Sequence, residues 1–243
     1  MKGVILAGGT GTRLYPLTRL INKHLLPVGK HPMIMYGIDR LRQAGIEDIL
    51  IVINKHSAGL YTEYLGGGAD HGVRLTYRIQ EKAGGIAEAL DLASSFILPG
   101  EKFVVLLGDN LFSDDLKPYV DRYMQQPAGT ARVLLKGVDD ARRYGVPVFD
   151  EHHPERIAYI EEKPSQPKTS YCVTGIYMYD DHVFSLIHNI VPSARGELEI
   201  TDVNNHYASG GGLEYDILQK YWSDAGTFES LQEAAVRMKG QLP

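Results

Sequence analysis

The sequence predicts an α/β protein of three layers, with a mainly parallel (mixed) central sheet carrying helices on both faces in the Rossmann-like manner. Three observations predict it. Apolar runs recur at Gly3–Ala7, Asp48–Ile53 and Phe103–Leu107, the continuous kind found in strands buried on both sides. Between them stand segments with apolar residues at helical spacing. A loop with three glycines in four residues, Gly8-Gly9-Thr10-Gly11, follows directly on the first run.

Taken in order, Gly3–Ala7 is the first strand. Pro32–Ala44 places Met33, Ile34, Ile38 and Leu41 at helical spacing and stops at Gly45. Asp48–Ile53 is the second strand, and Ser57–Leu65 a short helix ended by Gly66-Gly67-Gly68. Val73–Ile79 alternates as a strand and leads into Gln80. Ile86–Phe96 reads as a helix, and Phe103–Leu107 as a strand that runs into Gly108-Asp109-Asn110. The second half is less regular. Strands are expected at Thr130–Val138, Arg156–Glu161, Tyr171–Tyr179, Leu213–Ile217 and Gln219–Trp222, with helices at Asp181–Asn189, Thr201–Ala208 and Thr227–Lys239. No linker, repeat or low-complexity segment intervenes, so 1–243 reads as a single domain with halves of about 1–125 and 126–243.

Composition bounds the function. With 243 residues, 44% hydrophobic and 23% charged, the chain can bury a large core. A net charge of -5 gives no support for nucleic acid or an anionic membrane as partner. The one cysteine, Cys172, allows no intramolecular disulfide and suits a reducing compartment. The chain enters a strand at once, and its apolar runs fall far short of the roughly 20 residues that span a bilayer. A cytoplasmic location is expected. The nine histidines form no H-x-x-x-H or Cys/His cluster, which argues against zinc.

The glycine loop points to phosphate. Glycines let a ligand approach the backbone, and successive N–H groups in such a turn form a concavity suited to phosphate oxygens. Arg13 and Lys23 bring two cations to the same end of the sheet. The loop is neither of two better-known phosphate motifs. Counting from Gly9 and Gly11, the dinucleotide fingerprint would need glycine where Leu14 stands, and no Gly-Lys-Ser/Thr run occurs. A tight turn serving only packing remains the alternative.

The run Gly8-Gly9-x-Gly11-Thr12-Arg13-Leu14-x-Pro16-Leu17-Thr18, followed by Lys23-x-Leu25-Leu26-Pro27, resembles the signature of the sugar nucleotidyltransferases, above all their thymidylyltransferase branch. The likeness extends over nearly the whole chain. It implies the nucleotidyltransferase fold, with residues 1–125 binding the nucleotide and 126–243 the sugar phosphate. It implies dTTP and glucose 1-phosphate as substrates, dTDP-glucose and pyrophosphate as products, and a first step toward dTDP-rhamnose and related deoxysugars. Homo-oligomers are common in the family.

The remaining candidates gain roles from the same resemblance. Asp109 ends an apolar strand, at the edge where open α/β sheets bind ligands, yet a lone Asp there also serves as a turn former. The resemblance makes Asp109 and Asp224 the ligands of Mg²⁺, which takes one or two carboxylates plus phosphate oxygens and water. Ala225, where the family usually has Thr, departs from the pattern without touching the Asp. Gln80 carries a donor and an acceptor that fit a pyrimidine edge, or it is a solvent-facing strand end. The family's matching Gln reads the base, with Gly85 against it. Where this chain has Glu88 the family commonly has Gln. Leu6, Gly8, Gly9, Gly11, Thr12, Arg13 and Asp109 complete the implied nucleotide set.

On the sugar side, Glu162-Lys163 reads alone as a solvated charge pair. The resemblance directs Glu162 to glucose hydroxyls and Lys163 to the sugar phosphate, with Gly145, Val173, Asn110 and Arg195 beside them. Arg13, Lys23 and Lys163 would be the catalytic cations of a direct displacement at the α-phosphorus. Rivals are a uridylyl- or cytidylyltransferase, a non-catalytic nucleotide-sugar sensor, and a glycosyltransferase, whose usual Asp-x-Asp is missing here. The chain ends soon after its last helix, whereas many thymidylyltransferases continue with helices that form a regulatory nucleotide site. Feedback through such a site is therefore not expected.

Overall fold

The computed structural model describes residues 1–242. Chain order is β1 (Lys2–Ala7), a short hairpin of β2 (Pro27–Val28) and β3 (His31–Pro32), α1 (Ile34–Gln43), β4 (Asp48–Asn54), α2 (Ala58–Leu65) and β5 (Arg74–Gln80). Next come α3 (Ile86–Asp91), β6 (Lys102–Leu107), β7 (Asn110–Phe112), α4 (Lys117–Met124), β8 (Ala131–Gly137), β9 (Gly145–Phe149) and β10 (Ile157–Glu162). The chain closes with β11 (Tyr171–Asp180), α5 (His182–Ile187), α6 (Ile200–Ser209), β12 (Leu213–Ile217), β13 (Trp222–Asp224) and α7 (Phe228–Arg237).

Seven strands form one sheet in the order β12-β8-β11-β6-β1-β4-β5. The pairings β1–β4, β1–β6, β4–β5 and β8–β12 are parallel, and β11 runs antiparallel to both β6 and β8. The sheet is thus mixed by a single reversed strand. Side chains alternate across it as strand geometry demands. Ile5, Ile51 and Leu106 meet α1, α2 and α4 on one face, while Val4, Val52 and Val105 meet α3, α5 and α6 on the other. A smaller cluster, with Val28, Met33, Leu111, Ala225 and Ala234, fastens α7 over the β2–β3 hairpin. A capping box at Thr227 and Ser230 starts that helix. No helix among the described residues is long and apolar enough to cross a membrane.

The expected strands and helices of the first half are present, with one shortened. The helix read as Ile86–Phe96 stops at Asp91, and Ala93, Ser94 and Phe96 continue in turns with i to i−3 bonds, a switch suited to the poor helix former at Ser94. The short strands β2, β3 and β7 and the helix α4 in the first half, and β9 in the second, lie where the sequence predicts no element. Pro118 lies in the first turn of α4, where its missing N–H costs nothing. Pro147 within β9 reads against a strand, but β9 belongs to a two-stranded ribbon with β10, where a missing donor is tolerated. The strand expected at Gln219–Trp222 lies instead at Trp222–Asp224, drawn there by pairing with β7.

Candidate active site

A cavity of about 400 Å³ opens over the carboxyl ends of β1, β5 and β6. Leu6 and the Gly8-Gly9 backbone form one wall, and Gln80 and Gly85 stand beside them. Asp109, Asn110 and Asp224 line the cavity as well, together with Lys23 and Arg13. Gly145, Glu162, Lys163, Val173 and Arg195 close the far side. Gly11 and Thr12 do not line the cavity. Gly11 takes a left-handed φ of 65° and starts the short turn Thr12–Leu14, and its carbonyl accepts from Thr18 Oγ1 at 2.7 Å. Both shape the loop from behind.

Asp109 is held by charge and burial together. Burial alone would raise its carboxyl, but the Lys23 ammonium on Oδ2 and the Asn110 amide on Oδ1 hold it well below the usual carboxylate range. Lys23 and Asp109 have side chains that are each 13% exposed, so their pairing is largely shielded from water. Next to Lys23, His24 is buried, and that burial and the lysine's charge lower its imidazole to about 3, so it is neutral. Its Nδ1 lies 2.8 Å from Asn22 Oδ1, which also accepts from His24 N and Tyr61 Oη.

The two aspartates are brought side by side by a ribbon of three residue pairs. In it Asp224 of β13 faces Asn110 of β7, and the Ala225 N–H donates to the Asp109 carbonyl at 2.9 Å. Asp224 is pushed up by burial and then by the Asp109 charge, against a 2.9 Å bond from Tyr144 Oη and the pull of Arg143 and Arg13 at 3.7 and 4.0 Å. Together they offer hard carboxylate oxygens to a cation. No group of three or more His, Cys, Asp or Glu that could hold a metal ion occurs among the described residues. Such a donor set suits an ion that completes its shell with water and ligand oxygens, as magnesium does.

The far side is built from mutual compensation. Burial would raise the Glu162 carboxyl, but bonds from Lys163 Nζ at 2.8 Å and Thr201 Oγ1 at 2.6 Å, with Arg195 at 3.4 Å, lower it. Arg195, expected on a phosphate, sits among Glu162, Glu197 and Glu199, with its closest contacts at 2.8 and 2.9 Å to the Glu199 oxygens. Asn110, expected to offer its amide to a sugar, has that amide engaged. Its oxygen accepts from Gly175 N and Trp222 Nε1, each at 2.8 Å, and its nitrogen donates to Asp109. One N–H of the amide is left for a ligand.

Residues that sequence reasoning did not single out also line the cavity: His24, Arg143, Thr201 and Trp222. Arg143 stands beside Arg142, and nothing in the sequence separates them. In the structure Arg142 pairs with Asp140 at 2.8 Å and Arg143 turns to Asp224.

A family model described as nucleotidyl transferase matches residues 2–240. The glucose-1-phosphate thymidylyltransferase of Neisseria gonorrhoeae is 43% identical over 239 residues, which is 97% of this chain and 81% of the relative. That of Mycobacterium tuberculosis (strain ATCC 25618 / H37Rv) is 40% identical, over the same shares. Among solved structures, a provisionally assigned glucose-1-phosphate thymidylyltransferase from Bacillus anthracis, crystallised with sucrose, superposes with a TM-score of 0.91. It has 52% identity, and the match covers 97% of this chain and 94% of that one. A UDP-glucose pyrophosphorylase in complex with UDP-glucose shares the fold, with a TM-score of 0.86 at 23% identity and 99% coverage of both chains.

Proposed function

The chain belongs to the nucleotidyl transferase family, and we propose that its cavity joins dTTP to α-D-glucose 1-phosphate, releasing dTDP-glucose and pyrophosphate. The relatives named above support this choice of substrates. The observation that carries it is the meeting, in one cavity, of the glycine loop, the Lys23–Asp109 pair, Asp224 and Lys163.

An oxygen of the sugar phosphate attacks the α-phosphorus of the triphosphate. The new P–O bond forms as the bond from the α-phosphorus to the β-phosphate bridge breaks, and pyrophosphate leaves with the electron pair. The attacking oxygen is already anionic at neutral pH, so the protein needs no general base. Its task is orientation and charge neutralisation. Arg13, at the open rim, receives the leaving pyrophosphate, and the glycine-loop N–H groups hold the remaining α-phosphate. Lys23 and Lys163 draw the two anions together, and Glu162 with Thr201 meets the sugar hydroxyls. Asp109 and Asp224 would hold Mg²⁺, whose contribution is to neutralise and align phosphate oxygens. Gln80 faces the pyrimidine, with Gly85 beside it. A cytoplasmic homo-oligomer serving deoxysugar synthesis accords with the family's habit.

The test is a panel of dTTP, UTP, CTP, ATP and GTP against glucose, galactose and N-acetylglucosamine 1-phosphates, read by pyrophosphate release with and without magnesium. Turnover greatest for dTTP with glucose 1-phosphate is expected. Product binding without pyrophosphate release would instead identify a sensor.

A further inference from the structure

We propose that Glu88 decides which pyrimidines the cavity accepts, by fixing the orientation of the Gln80 side-chain amide. The inference rests on the reading that Gln80 faces the base. Gln80 is buried at the end of β5 and lines the cavity, whereas Glu88, in the first turn of α3, does not line it and stands behind. Gln80 Nε2 donates to Glu88 Oε2 at 2.5 Å, and the same oxygen accepts the Gly84 N–H at 3.1 Å.

An amide side chain can turn over with little steric change, because its oxygen and its NH₂ group are nearly alike in size. What it presents to a ligand then depends on what anchors it. A carboxylate only accepts hydrogen bonds. Opposite Glu88, the NH₂ end of Gln80 is therefore favoured, since the reversed amide would set Oε1 against Oε2. Gln80 Oε1 has no hydrogen-bond partner among the described residues, and it lies so close to Gly8 that a Cβ there would collide with it. The amide thus offers the cavity one acceptor, with the second Nε2 hydrogen beside it.

Thymine and uracil carry an N–H at N3 next to a carbonyl, which complements that pattern. Cytosine carries a lone pair at N3, and in the same pose it would face Oε1 lone pair to lone pair. To accept cytosine the amide would have to turn, and Glu88 opposes the turn. Glu88 is thus a positioning residue that discriminates without touching the ligand. It does not separate thymine from uracil, which differ only in a methyl group remote from N3.

The Gly84 N–H supplies a control. A glutamine at position 88 would be oriented by that donor, turning its own oxygen toward both Gly84 and Gln80. Glu88→Gln should therefore retain the selectivity that Glu88→Ala loses. The experiment measures kcat/KM for dTTP, UTP and CTP with glucose 1-phosphate, together with calorimetric binding of each triphosphate alone. In Glu88→Ala the ratio of dTTP to CTP is expected to fall at least about tenfold, the value of one hydrogen bond to a charged group. The ratio of dTTP to UTP should not move, and Glu88→Gln should stay within about twofold of the unaltered protein. Equal losses for dTTP and CTP in Glu88→Ala, as a merely structural role would give, would overturn the proposal. So would a Glu88→Gln variant that behaves like Glu88→Ala. Failure of the unaltered protein to release pyrophosphate would sink the proposed activity instead, while the binding ratios would still test Glu88.

Discussion

At the glycine-loop end of the cavity the central ion pair, Lys23 with Asp109, is largely closed off from water, whereas at the Glu162 end the paired side chains lie near the surface. Lys23 and Asp109 are each 13% exposed, but Lys163 is 45% and Arg195 47% exposed. The Lys23–Asp109 pair is therefore set before any ligand arrives, at an electrostatic strength that water dilutes little. The second end has its cations already satisfied by carboxylates, so an entering phosphate must compete with Glu162 for Lys163 and with Glu199 for Arg195. One region is thus built for catalytic preorganisation and the other for recognition by exchange of partners.

Lys23 should show the greatest loss of any residue in the cavity. Lys23→Ala removes a cation from the reacting phosphates and leaves Asp109 buried without its partner. Turnover should fall about 10²- to 10³-fold, and unfolding free energy by about 3–5 kcal/mol, as for one half of a buried pair. Steady-state kinetics and urea unfolding read the two together. A variant that lost activity yet kept full stability would show the pair to be as solvated as the far side.

Next is Lys163→Ala. Loss of one charge-assisted bond should lower kcat/KM for glucose 1-phosphate about 10- to 100-fold, with dTTP affinity nearly unchanged. Stability should shift by less than about 1 kcal/mol because the pair is exposed. Equal losses for both substrates would merge the two regions into one.

Within the first region the two aspartate carboxyls are displaced in opposite directions. Asp109 is depressed, so it contributes stability that is present above the ordinary carboxylate range and lost as pH falls through its folded value. Asp224 is raised, so its ionisation removes stability as pH rises from that ordinary range through its own folded value. At neutral pH, Asp224→Asn should raise the thermal midpoint and Asp109→Asn should lower it, although both lose activity. Midpoints that moved the same way would mean that neither burial nor the Asp109 charge strains the Asp224 carboxylate.

Legibility followed the same division. Gly8, Gly9 and Asp109 stand out because they follow the apolar strands β1 and β6, whose burial the sequence announces, whereas Lys23 stands out only through the run Lys23-x-Leu25-Leu26-Pro27. The meeting of Asp224 with Asp109 is implied only by the family resemblance, since the residues themselves join through a three-pair ribbon of β7 and β13 too short to leave a periodic signal. The engagement of Arg195 by Glu162, Glu197 and Glu199 and the internal use of the Asn110 amide were hidden for a related reason. Both depend on which side chains a loop or a reversed strand brings together, and here β11 shifts register between Val173 and Tyr177, where Gly175 meets Asn110. In the fold, β9 was masked by Pro147 and α4 by its polar face, while the buried parallel strands were plain.

The smallest predicted effect isolates backbone from charge at the sugar end. Lys163 is the one residue other than glycine with positive φ among the described residues, at 47°. A side chain in that region costs about 1–2 kcal/mol relative to glycine, and the cost is tolerated where surrounding contacts fix the backbone. Here the Lys163 N–H donates to the Tyr144 carbonyl at 3.0 Å, and Glu162 holds the ammonium. Lys163→Ala and Lys163→Gly both remove the charge and should lose sugar-phosphate use to a similar extent. They should differ in stability, with the glycine variant the more stable by roughly 1 kcal/mol after its greater unfolded-state freedom is subtracted. Paired urea titrations at neutral pH measure that gap. If the alanine variant proved equally stable, the left-handed turn would carry no strain, and the exposed end of the cavity would be as relaxed in its backbone as it is in its charges.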